Sequence, residues 1–215
     1  MTDGVLNKVK DISIGNFKDI GKGFVTFGAY PQHKKEEGVD IGGIYDEQRG
    51  YFLGSDNNLY EILNGAYYKV EPIKWKILSR CDELILASTK ILDHHQFDSS
   101  ENNYSKSEMK RWLNDDFYNK AFSDEQKNAI EKVCLLTRAD VEKYYASNSA
   151  RRKKGSDFAV NSGLYLKGDN SFALWWTSTP GSQNQVQYLS GGGEFVADNV
   201  YCSGVGVFPV LKVKL

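Results

Sequence analysis

The chain has 215 residues, 40% of them hydrophobic, 13% aromatic and 26% charged, a length that suits one substantial domain or two small ones. Its 27 basic and 28 acidic residues leave a formal charge of −1, without the basic excess of a nucleic-acid binder. No run of about 18 apolar residues is present to span a membrane, and Cys81, Cys134 and Cys202 are too scattered for a disulfide framework or a zinc site.

Residues 1–22 are weakly amphipathic through Val5, Leu6 and Val9 and read as an N-terminal arm. They hold no uninterrupted apolar stretch of the signal-peptide kind. The expected location is therefore cytoplasmic, with a cell surface or phage particle as the alternative, reached through a partner domain or a removed leader. Residues 23–215 read as a single domain. "GFVTFGAYPQ" (23–32) predicts a short aromatic strand ended by Gly28 and Pro31, and "HKKEEGVDIGG" a charged loop. From Tyr45 to Leu78 the text alternates like strands, with Asn64-Gly65 as a hairpin turn, because both central residues of a type I′ turn need positive φ. "ELILAST" (83–89) predicts a further strand.

The middle changes period. Ser105 with Glu108 reads as a capping box for a helix over 106–117, carrying Met109, Trp112, Leu113 and Phe117 on one buried face. Ser123 with Gln126 repeats the device before Ala129, Ile130 and Val133, and Thr137 opens a third helix with Val141, Tyr144 and Tyr145. "ARRKK" (150–154) reads as a solvated loop, after which strands return to Leu215. Strands, then about three helices, then strands predict an α+β fold with a mostly antiparallel sheet.

The words that would announce chemistry are missing: no G-x-S-x-G, no H-E-x-x-H and no P-loop occurs. His94 and His95 are adjacent and diverge, and His33 is remote, so they make no metal site. Glu71-Pro72-Ile73 and Trp112-Leu113-Asn114-Asp115 imitate the calcium words of sugar-binding lectins, but Ile73 replaces a needed oxygen and the second word lies in the helix. Gly191-Gly192-Gly193 precedes a strand and reads as a turn. No catalytic residue, metal ligand or cofactor is expected.

Several fragments in order, "FGAYPQ" (27–32), "EPIKWKILS" (71–79), "ILDHHQF" (91–97), "RWLNDDFYNKAFSDEQ" (111–126), "LLTRADVEKYY" (135–145), "WWTSTPG" (175–181) and "GVFPVL" (206–211), carry a resemblance. Over residues 23–215 the chain resembles a bacterial family known only as domain of unknown function 6273. The resemblance implies a C-type-lectin-like fold, with both chain ends in one sheet, helices on one side, and long loops with a small second sheet. It implies a display or binding module and no enzymatic activity. The family usually has arginines where this chain has Ser178 and Phe208.

The expected function is therefore non-catalytic recognition of a protein or glycan, with a variable display protein of a diversity-generating retroelement as a special case. The alternative is a structural or assembly module without a small-molecule ligand. An enzyme of the formylglycine-generating kind would need a reactive cysteine pair, for which the three cysteines lack context. The ligand-binding face is expected from Trp175, Thr177, Ser178, Asn184, Gln185, Gln187, Tyr188, Glu194, Asp198, Asn199, Tyr201 and Phe208, residue types common in adaptable binding surfaces. Strand parity places Phe172, Leu174 and Trp176, with Val207, Leu211, Val213 and Leu215, toward the main core. The same parity leaves Trp175 and Phe208 on the opposite face, either covering a second small cluster or anchoring a ligand.

Overall fold

The computed structural model describes residues 18–81, 83–167 and 172–214. Val5, Leu6 and Val9 of the expected arm, and Leu215, lie outside them. Among the described residues, β1 (Lys18–Gly21) pairs antiparallel with β2 (Phe24–Lys34), and β2 with β6 (Ala66–Ser79). On its other side β6 receives β5 (Leu59–Leu63) at one end and β7 (Leu84–Ser88) at the other. The larger sheet extends from β5 through β4 (Tyr51–Gly54) to β3 (Ile41–Asp46), and from β7 through β16 (Val210–Val213) to β9 (Ile130–Cys134). A smaller sheet has the order β14 (Phe195–Asn199), β13 (Gln185–Leu189), β12 (Trp175–Pro180), β15 (Gly206–Val207), β8 (Asp93–His94). β10 (Lys153–Lys154) and β11 (Phe172–Ala173) form a two-stranded ribbon. The strand pairs are antiparallel except for β12 with β15, so the α+β expectation holds.

Residues Asn64 and Gly65 turn β5 into β6 with φ of 49° and 76°, as the Asn-Gly pair predicts. β2 is longer than expected: it runs through Gly28 and Pro31 because the register shifts between Thr26 and Ala29. Gly28 has φ +68°, and a Cβ there would stand 2.5 Å from the Phe122 ring, so only glycine allows this close approach. The "IGG" of the predicted charged loop belongs to β3.

The first helix begins later than expected. Ser107, not Ser105, caps α1 (Glu108–Asn114) by accepting from Lys110 N, and Asp98 Oδ2 accepts from Glu108 N at 3.0 Å. Ser105 lies in a 3₁₀ turn capped by Asn103. After Asp115 the chain resumes as α2 (Asp116–Ala121), and Met109, Leu113, Phe117 and Ala121 are buried at four-residue intervals. Trp112, expected in that stripe, is only half-buried and lies against Phe117 and the His95 ring. The Ser123–Gln126 capping box is real, but α3 (Asp124–Lys127) is a single turn. The Ile130–Val133 spacing of three comes from a strand. A register shift opposite Lys212 and Val213 inserts an extra residue, so both side chains reach the same core. Thr137 caps α4 (Arg138–Tyr144), as predicted, and Asp140 completes a capping box with it.

The "ARRKK" stretch is not a solvated loop. It contributes α5 (Asn148–Arg151) and β10, and its cations lie over aromatic rings. A helix missed by the sequence pattern follows, α6 (Asp157–Ser162), capped by Ser156. Phe158 from α6 enters the main core edge-on to Tyr30 and Tyr68.

Candidate functional site

The smaller sheet carries most of the expected binding residues. Along β13, paired positions Gln187↔Ala197 and Leu189↔Phe195 share one face, while Val186↔Asp198 and Tyr188↔Val196 share the other. Val186 and Trp176 belong to the main core and Tyr188 packs against it; Trp175 and Leu189 belong to a second cluster with Phe208, Tyr145 and Val210. The parity assignment holds for both tryptophans.

Neither outward aromatic is outward. Trp175 is 0% and Phe208 1% exposed. Their rings lie 4.9 Å apart, and Trp175 Nε1 donates to the Arg151 carbonyl at 3.0 Å. They cover the second cluster, which removes the anchor role: α4 and α5 close over a face that the strand pattern leaves open. Thr177 is also buried, its hydroxyl donating to the Gln187 carbonyl at 2.7 Å.

The other expected residues divide by task. Ser178 is half-buried, its N–H donating to Leu136 O. Gln187 is engaged by Arg138, whose Nη1 donates to Oε1 at 3.4 Å. Tyr188 meets Trp176 edge-on at 5.8 Å. Glu194 closes the glycine turn: the Ser190 hydroxyl donates to its carboxylate and holds it below the usual carboxyl range. Asp198 and Asn199 are half-buried on β14. Asn184 and Tyr201 are exposed and adjoin, because Val200 N donates to Asn184 O at 2.9 Å. Asn102 Nδ2 donates to the Gln185 carbonyl at 3.2 Å, so three loops meet at this end of the sheet.

A second exposed aromatic, Tyr165, was not expected. Tyr165 and Tyr201 are each 58% exposed, and Tyr165 N donates to Gly204 O at 2.9 Å. His94 joins the two loops: Nδ1 lies 2.5 Å from Ser203 O and Nε2 2.7 Å from Ser162 O. His95 diverges, with Nδ1 2.6 Å from Gln96 O. No sequence spacing announces Tyr165; the only local signal is an aromatic between a helix end and the Lys-Gly-Asp-Asn stretch.

His94, Asp93 and Ser162 together have the composition of a hydrolytic triad, and the geometry refuses it. The Ser162 hydroxyl donates to Ala159 O at 2.8 Å, and His94 Nε2 faces the Ser162 carbonyl instead of its hydroxyl. Asp93 is half-buried and held by Tyr30, whose hydroxyl donates to it at 2.5 Å; desolvation raises both acids. The calcium look-alikes are structural too: Ile73 is core, and the Asn114 side chain clips β9 through Val133 N and O. Burial pushes the Cys134 thiol up to about 11 and raises that of Cys202, keeping both protonated near neutrality.

A cleft of about 470 Å³ opens between Arg49, Tyr51, Phe122 and Lys18.

Residues 81–153 match the model of a family described as Domain of unknown function (DUF6273). The match spans β7 to the start of β10 and leaves β1–β6 and β11–β16 outside. No curated protein and no solved structure matches the chain. No helix among the described residues is long and apolar enough to cross a membrane.

Proposed function

We propose that the chain is a non-catalytic recognition module for a protein or glycan, and that the ligand meets the loops around Tyr165 and Tyr201. One observation carries this reading. Two aromatic side chains stand largely in solvent on loops that His94 holds together, and the polar residues Asn184 and Asn199 lie beside Tyr201. Exposed tyrosine on a fixed backbone contributes contact area at low entropic cost, and neighbouring amides supply hydrogen bonds.

A C-type-lectin-like arrangement is supported by β1, β2 and β16 sharing the larger sheet, with the helices in the middle of the chain and a smaller sheet bearing loops. Strands β6 and β7 stand between the two ends. A display protein varied by a retroelement would place its variation on exposed positions such as Asn184, Glu194 and Tyr201. The buried Trp175, Thr177 and Phe208 would then stay fixed.

The test is a glycan array together with a pull-down, run with the natural chain and with Tyr165→Ala and Tyr201→Ala. Recognition that both variants lose, with melting unchanged, supports the reading; ligand capture indifferent to both overturns it. The assembly reading has its own observation, Ile44 and Tyr45 at 59% and 66% exposed on the edge strand β3. It predicts self-association in light scattering that Ile44→Lys abolishes.

A further inference from the structure

The second cluster is roofed by cations. Lys153 Nζ stands 4.0 Å from the centroid of the Tyr145 ring and 5.3 Å from that of Phe208. Lys76, reaching over from β6, places its Nζ 5.0 Å from the same Tyr145 ring. Next along, Arg151 donates from Nε to Tyr145 O at 2.9 Å and lies over Phe195, which it shares with Arg138. Tyr145 is buried and abuts Phe208, so the floor of this group is fixed.

What the group lacks is an anion. Among the described residues no carboxylate lies within 4.0 Å of Lys76 or Lys153; Glu142 is engaged by Arg138. The Lys153 ammonium donates to Ala150 O at 2.8 Å, and that of Lys76 makes no hydrogen bond with another described residue. Burial, and then the charge of Lys76, draws the Lys153 ammonium down to about 8. The chain has more acidic than basic residues, yet two half-buried ammonium groups face one ring without a counter-charge. Aromatic faces offset only part of such a cost.

We infer that Lys76 and Lys153, over the Tyr145 ring, form a binding site for the phosphate group of a small ligand. A phosphate dianion neutralises both cations at once, whereas a carboxylate leaves one unmatched. Two N–H donors on Lys153 and three on Lys76 stay open, and a tetrahedral oxyanion offers acceptors to both. The site does not rest on the tyrosine loops and stands or falls without them.

The experiment is calorimetric titration of the full chain at constant ionic strength with inorganic phosphate and with glycerol 3-phosphate. A parallel arm measures sedimentation with phosphatidylcholine vesicles with and without phosphatidic acid. Saturable binding is expected, weakened at least tenfold in Lys153→Gln and in Lys76→Gln, retained in Lys153→Arg and unchanged in Lys110→Gln. The vesicle arm tells a lipid phosphate from a free one. A second readout is proton uptake. The charged or titratable groups around Lys153 are Lys76 on β6, Tyr145 at the end of α4 and Arg151 on α5; the Tyr145 hydroxyl, raised by burial, stays neutral. Lys153 therefore takes up part of a proton when phosphate binds near pH 8, and the heat depends on the buffer more strongly in the natural chain than in Lys153→Gln. No saturable binding of any probe, or affinity in both glutamine variants equal to that of the natural chain, overturns the site.

Discussion

Trp175 and Trp176 are neighbours in sequence, and each is fully buried in its own core. The main core is aromatic against aromatic: Phe27, Phe117, Phe122 and Trp75 pack between the larger sheet and α1–α2, and Trp176 joins them through Phe97 at 5.7 Å. The second cluster is smaller and is closed by charged residues, with Arg151 and Lys153 lying over the rings that a thicker protein would cover with more hydrocarbon. One strand, β12, feeds both because its side chains alternate. The contrast teaches that a partly polar strand face can still be an interior face. What covers it is a cation-bearing helix and ribbon from elsewhere in the chain, whose long side chains lie across the rings.

The largest expected effects test whether both clusters are true cores. Trp176→Ala and Trp175→Ala should each cost about 3–5 kcal/mol in urea unfolding, since each removes a fully buried indole and strands a backbone carbonyl, His95 O or Arg151 O. A cost below 1 kcal/mol for Trp175→Ala alone would make the second cluster a surface feature.

Next come the devices that fix the helices of each region. Asp98→Ala should cost about 1–3 kcal/mol, because Asp98 accepts from Ser100 N, Glu101 N and Glu108 N beside the main core. Thr137→Ala on the more exposed α4 should cost about 1 kcal/mol. Unfolding of the two variants side by side checks the order. Asp98 also carries a pH signature. Burial pushes its carboxyl up, but the N–H groups of Glu101, Ser100 and Glu108 outweigh that and hold it below its ordinary value. Its contribution is therefore full above the unfolded pKa of about 3.9 and is lost as pH falls through the lower folded value. The gap between the natural chain and Asp98→Asn should shrink as pH falls below about 4.

Half-buried Trp112 gives a smaller effect. Trp112→Ala should cost about 1–2 kcal/mol, less than either fully buried tryptophan. The smallest effect belongs to the loops: Tyr165→Ala and Tyr201→Ala should change stability by less than about 0.5 kcal/mol. A larger loss in thermal melts would turn those tyrosines from display groups into structural ones.

Much of the fold was legible where a residue's role depends on its near neighbours. The Asn64-Gly65 hairpin, the Ser123–Gln126 box and the Met109–Leu113–Phe117 stripe each rest on contacts within a few positions. The site was less legible. Tyr201 and Asn184 stand exposed as expected, but Trp175, Thr177 and Phe208 are inside, and Tyr165 and His94 had no signal. An exposed tyrosine and a buried one carry the same letter, and only distant chain decides between them.

The sequence by itself determined parity, turns and caps: which tryptophan of the pair faces the main core, where β5 turns into β6, and how α3 and α4 begin. These follow from strand period and from side chains bonding to backbone amides three residues away. Tertiary structure decided the rest. A register shift against β16 made a strand of Ile130–Cys134, although its apolar spacing suits a helix. The basic run at 150–154 became a roof because Phe208, brought from a distant part of the chain beside Tyr145, offered its face to it. Both outcomes depend on long-range pairing, where burial of a surface is settled by whatever arrives to cover it.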